Sequence, residues 1–319
     1  MATSQRDVRN RISAVKNIQK ITRAMEMVAA ARLRRAEQRI EALRPYADAI
    51  RRMTRQAAEA AGDVPSLPIL AEHDELRAVG LLVVAGDRGL AGAFNSNAVR
   101  AGIRAAREHG AENRSARFFA SGRRPASSLS FRGEEVVESF TGFSDRPAYA
   151  DARSIAERLI AAYVDDEVDQ VEIFYNGYIS PLSQVVRRET LLPLQRATVL
   201  DDGGEKDGGE KDGGEDDGGE DDGDEPHDAD AQRRALVEYE PDPEDILRRL
   251  VPDYVEISIY RALLESTASE HGARMTAMRN ASENASQLID DYTLEMNRAR
   301  QAEITQEIME VVAGAEGLG

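Results

Sequence analysis

The stretch LRRAEQRIEALRPYADAI, residues 33–50, decides the architecture of this chain. Its apolar residues alternate spacings of three and four, which is the heptad pattern of a coiled coil. Residues 3–60 contain no glycine and one proline, so we expect a single helix roughly 85 Å long, which needs a partner. The predicted seam runs through Val8, Ile12, Val15, Ile18, Ile21, Met25, Val28, Leu33, Ala36, Ile40, Leu43, Ala47 and Ile50.

The same pattern returns at the other end of the chain, over about residues 253–316, and Pro252 predicts a break or kink just before it. Its seam is rich in small and polar residues, so the two helices can approach closely and gain modest hydrophobic stability. Because a compact middle segment joins them, the simplest pairing is an antiparallel coiled coil. The predicted C-terminal seam is Met275, Met278, Ser282, Ala285, Ile289, Tyr292, Met296 and Ala299.

The middle of the chain alternates strand and helix patterns. Residues 79–85 form a continuous apolar run typical of a strand buried on both faces. Strands separated by helices indicate a small open α/β sheet of Rossmann-like type, so the predicted fold class is α/β with a long coiled coil. The other predicted strands cover 117–120, 135–138, 170–175 and 182–192, and the helices cover 96–110, capped by Ser96, and 147–164.

Charge divides the chain into segments. Residues 201–230 hold 16 Asp or Glu and two Lys within a GGEKD/GGEDD repeat, a composition that predicts disorder because it offers nothing apolar to bury. The first 60 residues are basic, with 14 Lys or Arg against six acids. We therefore expect an N-terminal coiled-coil helix (1–62), a central α/β domain (63–200), an acidic insertion (201–235), and a foot with the C-terminal coiled-coil helix (236–319).

Several classes of chemistry find no support in the composition. The chain has no cysteine, which excludes disulfides and thiol catalysis. Its four histidines are far apart, without the spacing of metal ligands. No run of 18 apolar residues exists, so we expect a soluble protein that reaches a membrane only through partners. The acids form no paired constellation, and we expect neither catalytic residues nor a cofactor.

Two motifs allow other interpretations. Gly86–Gly92 follows a strand and precedes a helix, as a nucleotide loop would, but its G-x-x-G-x-x-G spacing matches neither the dinucleotide fingerprint nor a P-loop. A tight turn held open by glycines is the favoured interpretation. The basic N-terminal helix lacks aromatic residues for stacking on bases, so it favours an acidic protein surface over nucleic acid.

Five blocks of sequence stand out: Ile18–Arg35, Gly86–Leu90, Tyr175-Asn176 with Ser183-Gln184, Glu270 with Ala273–Met278, and Asn297–Ala315. Together they closely resemble the gamma subunits of rotary ATP synthases. They follow one another in the family's order and cover nearly the whole chain outside 201–230. Ala91 stands at the usual small or Cys position of the glycine turn.

The resemblance implies a central rotor shaft of a proton-translocating ATP synthase. The coiled coil would turn inside a hexamer of alpha and beta subunits, and the α/β domain would sit beside epsilon on the c ring. The protein would be peripheral, at the cytoplasmic face of the cell membrane, and would make no bonds itself. A shaft without threefold symmetry would shift conformational populations of the three beta subunits by differential contact.

The resemblance also implies the partner-binding residues. Met25 matches the position beside the lever region of a beta subunit. The tip would carry an apolar stripe of Ile304, Ile308, Val311 and Ala315. Tyr239 and Glu240 match the foot that meets the c ring, and six positions match contacts to the beta catch loop: Glu270, Arg274, Arg300, Gln301, Thr305 and Glu307.

Two alternatives remain open at this point. A stand-alone nucleotide-dependent enzyme with coiled-coil arms would bind nucleotide near Gly86–Gly92, and a free scaffold would self-associate. The acidic insertion replaces a segment that carries a redox disulfide in chloroplast relatives. Without cysteine it cannot switch by thiols. We expect a solvated spacer, and the alternative is a passive or electrostatic brake near the rotor.

Overall fold

The computed structural model describes residues 5–60, 69–71, 73, 75–194 and 243–316. A long helix comes before, and another after, a small α/β domain in the sequence. The helices are α1 (Gln5–Ala60), α2 (Phe94–Ala111), α3 (Arg123–Phe131), α4 (Tyr149–Val164) and α5 (Pro243–Glu316). The strands are β1 (Ala78–Val84), β2 (Ser115–Ser121), β3 (Val136–Phe140), β4 (Gln170–Ser180) and β5 (Ser183–Leu192).

Helices α1 and α5 pack against each other in opposite directions. Near the start of α5, Leu250 and Ile257 pack with Ala47 and Ile50. Further along, Ala268 packs with Leu33 and Ala36, and beyond that Arg279 Nε donates to the Glu26 carboxylate at 3.0 Å. Residue numbers rise on one helix as they fall on the other, which confirms the antiparallel coiled coil.

The seam of α1 differs from the prediction in its N-terminal half. Gln19, Thr22, Glu26 and Ala29 are buried or half-buried, whereas Ile18, Ile21 and Val28 are exposed. The prediction that these three belong to the seam is therefore wrong. Spacings of four and three, counted back from Leu33, pass through the four observed positions, so the apolar stripe upstream lies one residue out of phase with the seam. The predicted α5 seam is confirmed, since none of its eight residues is exposed.

Five strands form one sheet in the order β3-β2-β1-β4-β5. The first four are parallel, and β5 returns antiparallel to β4 as a hairpin. Strand β1 lies at the centre and is buried from Val79 to Val84, as its uninterrupted apolar sequence predicts. Such an order places a topological switch point between β1 and β4, at their carboxyl ends.

Helices cover both faces of the sheet. On one face, α2 and α3 pack on Leu81, Val83 and Phe118. On the other face, α4 and the first part of α5 pack on Leu82, Phe119 and Ile173. The second core holds the sheet directly against α5, so the α/β domain and the coiled coil share one helix and one hydrophobic core.

The predicted elements of the middle segment are confirmed, with shifts of up to five residues at their ends, and α3 was not predicted. Ser96 does not cap α2, because the helix begins at Phe94 and the Ser96 hydroxyl donates back to the Ala93 carbonyl at 2.9 Å. Pro252 lies inside α5 without ending it. Its neighbours Val251 and Val255 are buried, and burial of such side chains stabilises this turn against the loss of the hydrogen bond that proline removes. The acidic insertion lies outside the described residues.

Candidate partner-binding site

An exposed apolar stripe runs along the outside of α1. It consists of Ile18, Ile21, Met25 and Val28, at the three-and-four spacing that places residues on one helix face; we call it the outer stripe. Ile18, Ile21 and Val28 are 53%, 59% and 53% exposed, and Met25 is half-buried. Over this stretch α1 pairs with α5 through small and polar residues while Ile18 and Ile21 stay exposed, which is a surface suited to another protein.

The C-terminal part of α5 forms a tip that α1 does not cover. Every residue from 301 to 313 is exposed, over a length of about 20 Å. The tip carries its own apolar residues, with Ile304, Ile308 and Val311 at 45%, 57% and 71% exposure. Helical spacing of three and four places these three on one side, as predicted.

The structure brings four of the predicted site residues together on this tip. Arg300, Gln301, Thr305 and Glu307 are all exposed. Thr305 Oγ1 donates to the Gln301 carbonyl at 2.8 Å, so its hydroxyl is engaged within the helix. Among the described residues, neither Arg300 nor Glu307 has an ion-pair partner within 4.0 Å, and both charges are free to meet another chain.

Glu270 and Arg274 lie elsewhere, inside the chain. Glu270 is 1% exposed and Arg274 is 8% exposed. Arg274 Nη2 donates to Glu270 Oε1 at 2.5 Å and to the Gly89 carbonyl at 3.2 Å. Burial raises the pKa of the Glu270 carboxyl, and the Arg274 guanidinium opposes that rise. In this chain the pair fastens α5 to the glycine turn.

The glycine turn is held together by the chain's own side chains. Gly86 N donates to Asn95 Oδ1 at 2.8 Å. The Asp87 carboxylate accepts from three backbone amides, those of Arg123, Gly142 and Ser144, at 2.9, 2.9 and 3.2 Å. Doubly wound folds bind phosphates at this switch point. Here the buried carboxylate of Glu270 takes the space next to Gly86, so the turn is built for α5 and not for an anion.

The two predicted foot residues, Tyr239 and Glu240, lie outside the described residues, as does the acidic insertion. Within the described ranges, no helix is long and apolar enough to cross a membrane. The same ranges contain no group of three or more acids or histidines arranged to hold a metal ion.

The sequence pattern places the outer stripe in the seam and does not predict that it is an exposed surface. It also does not predict that Glu270 is buried. A signal for the first was present, because the heptad fixed by Leu33 and Ile50 continues by counting to Gln19 and Glu26. No comparable signal existed for Glu270, since its contact joins two segments more than 180 residues apart.

Comparison with known families gives a match along nearly the whole chain. The family model described as ATP synthase matches residues 4–318. The chain is 41% identical to the ATP synthase gamma chain of Moorella thermoacetica over 313 residues, which cover 98% of both chains. It is 40% identical to the ATP synthase gamma chain of Rubrobacter xylanophilus over 315 residues, covering 99% of this chain and 98% of that one.

Solved structures with the same fold come from rotary assemblies. A chain of the Tetrahymena thermophila mitochondrial ATP synthase central stalk and c ring has a TM-score of 0.57 at 25% identity, covering 82% of this chain and 99% of that one. A chain of the Euglena gracilis mitochondrial ATP synthase, from a structure of OSCP, F1 and the c ring, has a TM-score of 0.65 at 18% identity, covering 98% and 94%. The second likeness concerns the fold alone.

Proposed function

The chain belongs to the family of ATP synthase gamma chains, and on that premise we propose that it is the central rotor shaft of a proton-translocating ATP synthase. In this role it couples rotation of a c ring to ATP synthesis in beta subunits. The observation that carries the proposal is the outer surface of the coiled coil over residues 18–28, where the isoleucines of the outer stripe are exposed while Gln19, Thr22 and Glu26 occupy the seam.

The exposed surfaces suit a shaft inside a sleeve. The outer stripe and the tip are two separate apolar surfaces on the same coiled coil, and neither is covered by the described chain. We propose that alpha and beta subunits surround both. Met25 on the outer stripe, and Arg300, Gln301, Thr305 and Glu307 on the tip, are then the residues that contact beta subunits.

The α/β domain is the base of this shaft. Relatives of similar fold come from a central stalk with its c ring, and we propose that the base here also meets a c ring and an epsilon subunit. Tyr239 and Glu240 belong to the proposed contact with the c ring. The complex then places this chain at the cytoplasmic face of the cell membrane, with membrane contact through partners.

Torque must pass from the base into the coiled coil, and Glu270 and Arg274 lie at that junction. Both are buried against the glycine turn, and α5 shares its core with the sheet. We propose that the pair transmits torque by fixing α5 to the base. A direct contact of the pair with a beta subunit would require these side chains to leave the positions described above.

The mechanism follows from asymmetry. The outer stripe lies on α1 and the tip belongs to α5 alone, so the shaft presents different chemistry in different directions. Each of three surrounding beta subunits meets a different face and is biased toward a different conformation, because only differential contact shifts a population. Rotation moves each beta subunit through these states in turn, and the shaft itself makes no bonds.

A reconstitution experiment tests the proposal. The full chain is mixed with alpha and beta subunits, and assembly and ATP hydrolysis are measured for the wild type and for Ile18→Gln/Ile21→Gln/Val28→Gln. We expect the triple variant to lower assembly or the rate at least tenfold. The control, Phe131→Gln/Val164→Gln, changes two exposed apolar residues of the α/β domain and should behave as wild type. Equal activity of the triple variant and the wild type would remove the outer stripe from the mechanism.

A further inference from the structure

A second feature of the chain is a cavity surrounded by arginines. It has a volume of about 510 Å³ and lies between α1, the segment before α4 and the middle of α5. Four guanidinium-bearing residues line it, Arg32, Arg35 and Arg39 from α1 and Arg146 from the segment 141–148; we call it the arginine cavity. His271 and Thr267 of α5 lie at its back.

The charges around this cavity do not balance. The Arg32 guanidinium is paired with the Asp145 carboxylate at 2.8 Å. Within the described ranges, Arg35, Arg39 and Arg146 have no carboxylate within 4.0 Å. Since Asp145 is the single acid among the lining residues, the lining carries four positive charges against one negative charge. Like charges that line one space repel each other, and an anion bound among them would relieve that repulsion.

The back wall of the cavity is formed in part by a buried imidazole. His271 is 1% exposed. Burial, followed by the Arg274 guanidinium, lowers the pKa of this imidazole to about 4; the Asp145 carboxylate opposes the shift, and Arg32 adds a smaller lowering effect. The imidazole is therefore neutral near pH 7 and adds no further charge. One oxygen of Asp145, Oδ1, is buried and has no hydrogen-bond partner among the described residues.

We propose that the arginine cavity binds a small phosphate-bearing anion, such as pyrophosphate or the phosphate chain of a nucleotide. Guanidinium groups donate two parallel hydrogen bonds to phosphate oxygens, and several of them around one space match a multiply charged ligand. The volume lies in the range of small-molecule sites. This site is separate from the glycine turn, where carboxylates occupy the space next to the backbone.

A ligand here would add a direct link between α1 and the α/β domain. Arg35 and Arg39 belong to α1, whereas Arg146 belongs to the α/β domain. An anion bound to all three would cross-link α1 to the base, in addition to the Arg32–Asp145 pair. Bound ligand would therefore stiffen the junction through which torque passes.

The test uses the full-length chain and pyrophosphate as the probe, titrated calorimetrically at low salt without divalent cations. We expect saturable binding of one pyrophosphate per chain, weakened at least tenfold in Arg35→Gln/Arg39→Gln. The matched control is Arg100→Gln/Arg104→Gln, because these two arginines are also four residues apart on a helix and exposed but lie on α2. Circular dichroism should show both variants as helical as the wild type.

Two results would overturn the proposal at this stage. Absence of saturable binding to the wild type would remove the site. An equal loss in the Arg100→Gln/Arg104→Gln control would mean that pyrophosphate follows overall charge and not this cavity.

The same variants separate a small anion from an acidic segment of a partner protein. Affinity of the chain for alpha and beta subunits is measured in phosphate-free buffer. If Arg35→Gln/Arg39→Gln weakens that assembly tenfold while pyrophosphate binding to the free chain is unchanged, the cavity belongs to the partner and the ligand proposal is wrong. Crystals soaked with selenate should show an anomalous peak between Arg35, Arg39 and Arg146.

Discussion

The carboxylate of Glu270 stands where a side chain on residue 86 would project. A Cβ atom added to Gly86 would lie 2.8 Å from both the carboxyl carbon and Oε1 of Glu270, closer than real Cβ contacts allow. Glu270 cannot easily withdraw, because it is buried and bonded to Arg274. The glycine after β1 is therefore required by a helix that lies far along the chain.

Replacing Gly86 by alanine should destabilise the junction between base and shaft. We expect a loss of about 1–3 kcal/mol, typical of an overpacked interior, measured by urea unfolding followed by circular dichroism. Gly110→Ala is the control, since nothing lies within 4 Å of its added Cβ and alanine favours the helix. An unchanged unfolding midpoint for Gly86→Ala would show that Glu270 yields without cost.

Removing one member of the Glu270–Arg274 pair should cost more than removing both. Arg274→Met leaves a buried carboxylate without its partner, and we expect a loss of about 3–5 kcal/mol. The double variant Glu270→Gln/Arg274→Met should recover much of that loss. Arg279→Met breaks the exposed pair with Glu26 and should cost less than about 1 kcal/mol. Additive losses in the double variant would contradict this account of the pair.

In the free chain, substitutions in the seam should lower the free energy of unfolding far more than substitutions in the outer stripe. Leu33 is 4% exposed, and Leu33→Ala should cost about 2–5 kcal/mol through loss of packing and the cavity that remains. Ile21→Ala, on a residue that is 59% exposed, should change the free energy of unfolding by less than about 0.5 kcal/mol. Thermal unfolding of the isolated chain measures both. A similar loss for the two variants would place Ile21 back in the seam.

The stability of the chain should depend on pH through His271. Its pKa is lowered to about 4 in the folded chain, whereas in the unfolded chain it binds a proton below about pH 6.5. The unfolded state thus binds more protons between these values, and the free energy of unfolding falls as the pH drops from 6.5 to 4. We expect a loss of about 2 kcal/mol from this group between pH 7 and pH 5.

His271→Gln should lack that part of the acid sensitivity. Burial raises the pKa of Glu265 and Glu270, and a raised carboxyl pKa acts in the opposite direction, so the two proteins must be compared at each pH. As the pH falls toward 5, the wild type should lose more stability than the variant, so that the wild type's unfolding free energy approaches or falls below that of the variant. Parallel pH profiles would show that His271 titrates normally.

The sequence predicts the elements well because each depends on local pattern. The heptad of residues 33–50 and the apolar run of β1 fix a coiled coil and a central strand without knowledge of the rest. The heptad phase of residues 18–29 is harder to predict from the sequence. Ile18 and Ile21 are the most apolar residues there, so hydrophobic spacing alone places them in the seam. Their exposure makes sense only once a further protein surface is considered.

The candidate site divides in the same way. The tip residues Arg300 to Glu307 lie on an exposed part of α5, where no other segment that the structure describes covers them. Glu270 and Arg274 also lie within a helical sequence pattern, like the tip residues. Their burial, however, depends on where the fold places the glycine turn. A pairing between distant segments leaves no trace in either segment alone, and neither periodicity nor composition reveals it.

On α1 the apolar residues of the outer stripe are exposed while polar residues occupy the neighbouring part of the seam. In an unassembled chain this apolar surface favours aggregation between copies, and the polar part of the coiled coil behind it adds little stability against unfolding. The chain made alone should therefore aggregate more readily than the assembled chain, and coexpression with alpha and beta subunits should raise its soluble yield.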